Sequence, residues 1–136
     1  MNRNISFELH LRSFWFGLAY AQLLVVAVLS LIPALPNVGG SDKLGHFLAY
    51  AVLSIAFSLI IRQRKSLGWI LFGLIAFGIL MEYLQGLTGY RYADPEDAVA
   101  NSIGVVFGVL FHFSPLRRVL LKVDSYIYLH LCRLRE

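Results

Sequence analysis

Charged side chains are scarce in this sequence of 136 residues: they make up 15% of it, whereas hydrophobic residues make up 58%. Soluble domains usually carry about 25% charged and about 45–50% apolar residues. This shortage excludes an ordinary water-facing exterior, because too few polar side chains are present to cover a globule of this length. The composition therefore predicts a protein whose exterior faces the hydrocarbon of a membrane.

Cysteine and clustered basic residues are scarce as well. Cys132 is the single cysteine, which excludes an intrachain disulfide. The formal net charge is +4, but the lysines and arginines lie in short segments between apolar runs. That distribution is typical of membrane-orientation signals and argues against nucleic-acid binding. The sequence also contains no glycine-rich phosphate loop, no thiolate cluster and no nucleophile motif.

What the sequence does contain is four long apolar runs, at residues 14–35, 44–61, 67–87 and 95–113. Each is close to the roughly 20 residues that a helix needs to cross about 30 Å of hydrocarbon. Strands are disfavoured, because an open sheet cannot satisfy its backbone in lipid. The first run is too long for the apolar part of a usual signal peptide, which argues against its cleavage. We predict an all-α, polytopic membrane helix bundle of about four transmembrane helices.

A further helix is predicted in the basic tail. Apolar residues recur there at spacings of three and four, namely at Leu116, Leu120, Val123, Ile127, Leu131 and Leu134. This pattern indicates a C-terminal amphipathic helix that lies on the inner membrane surface or packs against the bundle. The chain thus divides into a cytoplasmic or interfacial N-terminal segment (1–13), a four-helix membrane domain (14–113) and a basic amphipathic cytoplasmic tail (114–136).

The positions of the basic residues predict the orientation of the chain. If the N-terminus is cytoplasmic, ten of the 12 lysines and arginines lie on the inner side, and only Lys43 and Arg91 lie outside. Short cytoplasmic segments of membrane proteins carry such an excess of positive charge. We therefore predict a multi-pass protein with both termini in the cytoplasm.

Polar residues of three spans fall near the outer end of the bundle. They come in pairs three or four residues apart, which places both side chains on one helix face: His46 with Tyr50, Glu82 with Gln85, and Asp97 with Asn101. More charges lie at the span ends and in the outer loops, at Asp42, Lys43, Arg91, Asp94 and Glu96. Together these residues predict one polar site that opens outward.

Glu82 is the most informative member of this set. It lies about one turn inside its span, where an ionised group costs a few kcal/mol unless it is paired or hydrated, so a functional site is the default interpretation. We take Glu82 as the candidate general acid or base, His46 as its proton partner, and Asp97 as a third catalytic group. Lys43 and Arg91 would hold an anionic phosphate or carboxylate. Substrate contacts are also assigned to Asp42, Tyr50, Gln85, Asp94 and Asn101.

Structural roles remain open for part of this set. Three of the acids suit helix caps and dipole partners as well as reagents, namely Asp42, Asp94 and Glu96. His46, Glu82 and Asp97 could bind a divalent metal, but no spacing among them is diagnostic. The prediction is therefore a site without metal or cofactor.

Small residues recur along two of the spans. They are Ala100, Gly104 and Gly108 in the fourth span, and Gly68, Gly73 and Gly78 in the third. Small residues at such spacings let helix backbones approach closely in lipid. They predict a tightly packed bundle and permit a homo-oligomer through the glycine-lined helices.

Three blocks of residues carry a family resemblance. Asp42, Lys43, His46 and Tyr50 fill a D-K-x-x-H-x-x-x-Y pattern, Glu82 and Gln85 fill E-x-x-Q, and Arg91, Asp94, Asp97 and Asn101 fill R-x-x-D-x-x-D-x-x-x-N. In this order and spacing they resemble the VanZ-like family of small bacterial membrane proteins, over roughly residues 33–111. Pro95 and Glu96 depart from the pattern, because the family usually has apolar residues there.

The resemblance implies a compartment and a hint of function. It implies the bacterial cytoplasmic (inner) membrane, and the founding member is linked to low-level resistance to teicoplanin, whose target is a cell-wall precursor on the outer face. We expect an outward-facing site that binds or modifies a cell-envelope lipid or lipid-linked precursor. The alternative is a non-catalytic binding or scaffold protein for an amphiphile or a partner membrane protein. A transporter is less favoured, since no charged residue lies near the middle of a span and no inverted repeat is present.

Overall fold

The computed structural model describes residues 8–33 and 42–134, and all regular structure in these ranges is helical. The elements are α1 Arg12–Leu31, α2 Asp42–Ile60, α3 Lys65–Leu87, α4 Pro95–Leu110, a 3-10 turn Phe111–Phe113, and α5 Leu116–Arg133. The first three helices, and α4 together with the turn, are long and apolar enough to cross a membrane. The predicted all-α bundle with four candidate spans and a tail helix is confirmed.

The outside of the bundle is apolar. Leu24, Trp69 and Phe72 are 63%, 78% and 68% exposed, on two different helices. In water such side chains would form large apolar patches, which soluble proteins avoid. In hydrocarbon they are the expected exterior, because the helices satisfy their own backbone groups and present side chains to lipid.

The closest helix contact joins α2 to α4. A Cβ atom placed on Gly104 or Gly108 would lie 2.4 Å and 2.5 Å from backbone oxygens of α2, so only glycine permits this approach. Small residues in α4 therefore serve packing within the bundle, as their spacing predicted. Gly68 and Gly73 of α3 have nothing within 4 Å of such an atom, so a homo-oligomer through glycines remains a prediction for α3 only.

Hydrogen bonds along this contact fix the two helices against each other. The hydroxyl of Ser54 donates to the carbonyl of Val105 at 2.8 Å, and that of Ser58 donates to the carbonyl of Gly108 at 3.2 Å. Nδ1 of the buried His112 lies 2.7 Å from the carbonyl oxygen of Ser58. No sequence pattern predicted this contact of His112, since helix register cannot be read from one isolated histidine. These contacts hold the two helices in the register that positions the site.

The first helix ends earlier than its apolar run predicts. The run continues to Leu35, but α1 stops at Leu31, and Ile32 adopts an extended backbone with ψ of 155°. A residue that precedes proline is pushed out of the helical region by the proline ring, and here Pro33 follows. The C-terminal carbonyls of α1 are thereby left for side chains of other helices to satisfy.

One buried carboxylate of the tail helix α5 binds the start of α1 through hydrogen bonds. Asp124 is 0% exposed and accepts hydrogen bonds from the backbone N–H groups of His10 and Leu11, at 2.6 and 3.0 Å. It also accepts from the indole N–H of Trp15 at 2.8 Å. Backbone donors at a helix start lack partners within the helix, and Asp124 supplies one. The apolar pattern predicted α5 but not this anchor.

Candidate functional site

Three helix ends meet at one end of the bundle: the start of α2, the end of α3 and the start of α4. They bring together His46, Glu82 and Asp97, which we name the His–Glu–Asp cluster. Nε2 of His46 lies 3.5 Å from Oδ2 of Asp97, and its Nδ1 lies 3.9 Å from Oε1 of Glu82. All three side chains are largely buried, at 12%, 7% and 11% exposure for His46, Glu82 and Asp97.

Asn101 and Tyr50 form the floor beneath the cluster. Oδ1 of Asn101 lies 3.2 Å from Nδ1 of His46. An amide oxygen only accepts hydrogen bonds, so Asn101 in this orientation favours the tautomer of His46 that carries its proton on Nδ1. The other ring nitrogen, Nε2, then faces Asp97. Both floor residues are 1% exposed and pack over Gly78, where a Cβ would lie 3.2 Å from the tyrosine ring and 3.3 Å from Cβ of Asn101.

Lys43 lies at the rim of the cluster. Its ammonium group is 3.0 Å from Asp94, 2.8 Å from Glu96 and 3.6 Å from Asp97, and its side chain is 44% exposed. The two nearer acids are themselves exposed, at 44% and 74%. Lys43 therefore mainly balances the rim, while its exposure leaves the ammonium accessible to an incoming anion.

Asp94 links the rim to the buried carboxylate. Its side chain caps α4 by accepting from the N–H of Glu96 at 2.9 Å, with Pro95 at the first helical position. Its own backbone N–H donates to Oε2 of Glu82 at 3.2 Å. The N–H of Glu96, and after it Lys43, lower the pKa of the Asp94 carboxyl, because both interactions favour the charged form. The predicted cap is present, and it also positions Glu82.

Side chains from the α3–α4 region hold the end of α1. Gln85 donates to the carbonyl of Ser30 at 2.9 Å, and Nε of Arg91 donates to that of Ile32 at 3.1 Å. The Tyr90 hydroxyl donates to the carbonyl of Leu31 at 2.5 Å. Two predicted substrate contacts, Gln85 and Arg91, thus take part in closing the bundle.

Tyr90 was not among the predicted site residues, although its hydroxyl holds the end of α1. Its position directly before Arg91 was the only signal for its part in holding α1. The side chain of Asp42, another predicted contact, lies outside the described residues.

A cavity of about 230 Å³ lies beside the cluster, between α1, α2 and the loop after α3. Its polar lining comes from Ser30, His46, Tyr50 and Arg91, and the rest of its wall is apolar or small. A larger cavity of about 540 Å³ is lined by Phe16, Trp69 and other apolar residues of α1, α2 and α3, without a carboxylate, histidine or basic residue. Of these two cavities, the smaller one therefore has the polar and titratable lining of a reactive site, whereas the larger one suits a hydrocarbon chain.

Several buried polar atoms at the site lack a hydrogen-bond partner among the described residues. They are the Tyr50 hydroxyl, Oε1 of Glu82, Oδ1 of Asp97 and Nδ2 of Asn101. Native proteins leave few such atoms, because each costs about 1–3 kcal/mol. All four belong to the cluster and its floor, so the unsatisfied polar atoms of the described residues are concentrated at this site.

Comparison with known proteins places the chain in a family. No solved structure matches it. The chain is similar to the uncharacterized protein C11E3.10 of the fission yeast Schizosaccharomyces pombe, with 31% identity over 107 residues, which cover 74% of this chain and 65% of that protein. The chain therefore spans just under two thirds of that relative's length.

The family match covers most of the sequence. Residues 2–118 match the family described as VanZ/LLP1, which includes all four candidate spans and the start of α5. This extends the resemblance beyond the three polar blocks, and it fits a membrane protein. The chain belongs to the VanZ/LLP1 family.

Proposed function

We propose that the His–Glu–Asp cluster binds the phosphate-bearing headgroup of an envelope lipid or lipid-linked precursor and hydrolyses it. The observation that carries the proposal is the convergence of His46, Glu82 and Asp97 at the end of the bundle, with a lysine at the rim. Titratable groups that burial and neighbours hold together in a cleft are the usual equipment of acid–base catalysis. A site at the end of the spans can meet a lipid headgroup while its tail stays in hydrocarbon.

Hydrolysis of a phosphate ester or diphosphate assigns each residue a role. Glu82 takes a proton from water while the water oxygen bonds to phosphorus, and protonated His46 gives a proton to the leaving oxygen as its bond to phosphorus breaks. Asp97 and Asn101 hold the imidazole from both of its nitrogens. Lys43 at the rim and Arg91 in the cavity wall neutralise the phosphate charge.

We infer the compartment from the distribution of charge. Of the ten lysines and arginines in the part of the chain that the structure describes, eight lie away from the cluster, so we place both termini in the cytoplasm and the cluster on the outer face. A bacterial cytoplasmic membrane is the proposed location. Resistance to glycopeptides such as teicoplanin is a narrower proposal, which rests on the family membership alone.

The proposal is tested by turnover of the purified chain in lipid nanodiscs. Wild type should release phosphate from a polyprenyl diphosphate or a phosphatidic acid, and Glu82→Gln should lower kcat by about 10²–10⁴-fold, because it removes the base at nearly constant shape. Glu8→Gln is the matched control, since Glu8 pairs with Arg62 at the other end of the bundle. Full activity of Glu82→Gln would refute the catalytic assignment.

A non-catalytic binding protein is the second candidate. It is favoured because three predicted substrate contacts, Gln85, Arg91 and Asp94, make hydrogen bonds within the bundle. Their presence is then explained by structure without a reaction. In that case wild type retains the lipid phosphate without turnover, and Glu82→Gln binds it about as well. Binding measured by co-purification of radiolabelled lipid phosphate, beside the turnover assay, separates the two candidates.

A further inference from the structure

We propose that His46, Glu82 and Asp97 bind a divalent transition-metal ion of the Zn²⁺ or Mn²⁺ class. One ligand atom from each residue lies within 4.8 Å of the others. Four ligands about 2.1 Å from a metal are about 3.4 Å apart in a tetrahedral site. The distance of 3.5 Å between Nε2 of His46 and Oδ2 of Asp97 already matches this separation between two ligand atoms. Oε1 of Glu82, which lies 3.9 Å from Nδ1 of His46, would complete the set by a rotation of its side chain.

The surroundings of His46 match those of a metal-ligating histidine. If Nε2 binds the ion, the other ring nitrogen carries the proton and donates it, and Oδ1 of Asn101 lies 3.2 Å from that nitrogen. Histidine ligands in proteins almost always donate that second N–H to an oxygen acceptor, which fixes the tautomer and aims the ring. A neutral imidazole in this orientation turns a lone pair toward the Asp97 carboxylate, an arrangement that a cation between them stabilises.

Two buried carboxylates supply an independent observation. Glu82 and Asp97 are 6% and 7% exposed as whole residues, and each has one oxygen without a hydrogen-bond partner among the described residues. Charges buried in this way are usually paired or bound to metal. These oxygens are Oε1 of Glu82 and Oδ1 of Asp97, on the two carboxylates of the metal-binding set, and the nearest recorded cation to Oδ1 of Asp97 is Lys43, at 3.6 Å.

The charge of the region calls for a cation in addition to Lys43. Two of the nearby acids, Glu82 and Asp97, are buried, and Lys43 pairs with Asp97 at 3.6 Å. Lys43 lies closer to the two exposed acids than to Asp97. A divalent ion in the cluster would balance the two buried carboxylates, where burial makes their charge most costly.

The chemical types of the three ligands determine which class of ion the site would prefer. One imidazole and two carboxylates suit Zn²⁺ or Mn²⁺, whereas Mg²⁺ and Ca²⁺ prefer oxygen ligands alone. This inference rests on the proposed function and refines it, because Glu82 and His46 would then be ligands and would not themselves transfer protons. The ion would lower the pKa of a bound water in place of direct proton removal by the carboxylate.

The test measures binding of Mn²⁺ to the full chain in detergent after treatment with EDTA and desalting. Titration followed by the electron paramagnetic resonance of free Mn²⁺ should give one saturable site per chain, with Zn²⁺ in competition. Glu82→Gln and Asp97→Asn should each weaken binding at least about tenfold. Glu96→Gln is the matched control, an acid of the same rim that is 74% exposed and outside the cluster, and it should bind within about twofold of wild type.

A further variant covers the case in which the ligand variants fail to fold. Asn101→Ala leaves the three ligands in place and removes only the acceptor for Nδ1 of His46, so it should weaken binding about 10–100-fold. Absence of a saturable site in wild type, or equal loss in Glu96→Gln, would overturn the inference. Lipid hydrolysis that persists in EDTA would leave the proposed function standing without the metal. One bound ion without any hydrolysis would leave the metal site standing without the proposed function.

Discussion

At the scale of single residues, the site depends on side chains that do two things at once. Asn101 accepts toward His46 while it packs against Gly78, and Asp94 caps α4 while its backbone holds Glu82. The spacing of three and four residues predicted which pairs share a helix face. It did not predict these second roles, because they depend on which face each neighbouring helix presents.

The Asp94 cap provides a prediction about pH. The pKa of Asp94 is lowered by the N–H of Glu96 and by Lys43, so its ionised form is bound more tightly in the folded state than in the unfolded state. The stability it contributes is fully present above its unfolded pKa of about 4 and is lost as pH falls through the lowered folded value. Asp94→Asn keeps an acceptor for the cap but loses the charge.

Thermal unfolding in detergent between pH 7 and pH 3 measures this effect. Wild type should melt at a higher temperature than Asp94→Asn at neutral pH, and the difference should shrink as the pH falls below about 4. A difference that stays constant or grows toward acid pH would contradict the assignment.

At the scale of helices, the contact between α2 and α4 decides whether the site forms. Gly104→Ala would place a methyl carbon 2.4 Å from the carbonyl oxygen of Phe47 and 3.0 Å from the amide nitrogen of Ala51. Both atoms are backbone, so the helices must separate, at a cost of about 1–3 kcal/mol or more. The change should lower the melting temperature and, because His46 and Asp97 lie on opposite sides of this contact, reduce lipid turnover.

Gly73→Ala is the matched control, since nothing lies within 4 Å of the added atom. Alanine is a better helix former than glycine by up to about 1 kcal/mol, so this variant should be neutral or slightly stabilised. If both variants melt together with wild type, the close contact between α2 and α4 is wrong.

The helices themselves were largely predictable, because length and apolarity alone mark a segment that can cross a membrane. The exceptions have local or tertiary causes. The extended Ile32 before Pro33 ends α1 early, while Asp124 and His112 acquire partners only when helices distant in sequence come together. For the site, the sequence predicted the members of the cluster, but not that Gln85 and Arg91 bind the end of α1.

At the scale of the whole molecule, the claim is an orientation in the membrane. Cys132 is the single cysteine and is exposed near the end of α5. The excess of basic residues on that side predicts that it faces the cytoplasm. A membrane-impermeant maleimide added to intact cells should therefore leave Cys132 unlabelled until the membrane is permeabilised.

Tyr92 provides the control from the other side. It is 95% exposed in the loop between α3 and α4, so Tyr92→Cys with Cys132→Ser should be labelled in intact cells. The opposite pattern, with Cys132 labelled and Tyr92→Cys protected, would invert the orientation and place the site on the cytoplasmic face.

The central claim is that His46, Glu82 and Asp97 act as one site on a lipid phosphate. The most direct measurement is the rate of phosphate release in nanodiscs for wild type, Glu82→Gln, Asp97→Asn and the double variant. Groups that act as a unit have strongly non-additive effects on rate, so the double variant should be no slower than the more damaged single variant, within about threefold. If the two losses multiply in the double variant, or if neither single change slows the reaction, the residues do not form one catalytic site and the account is wrong.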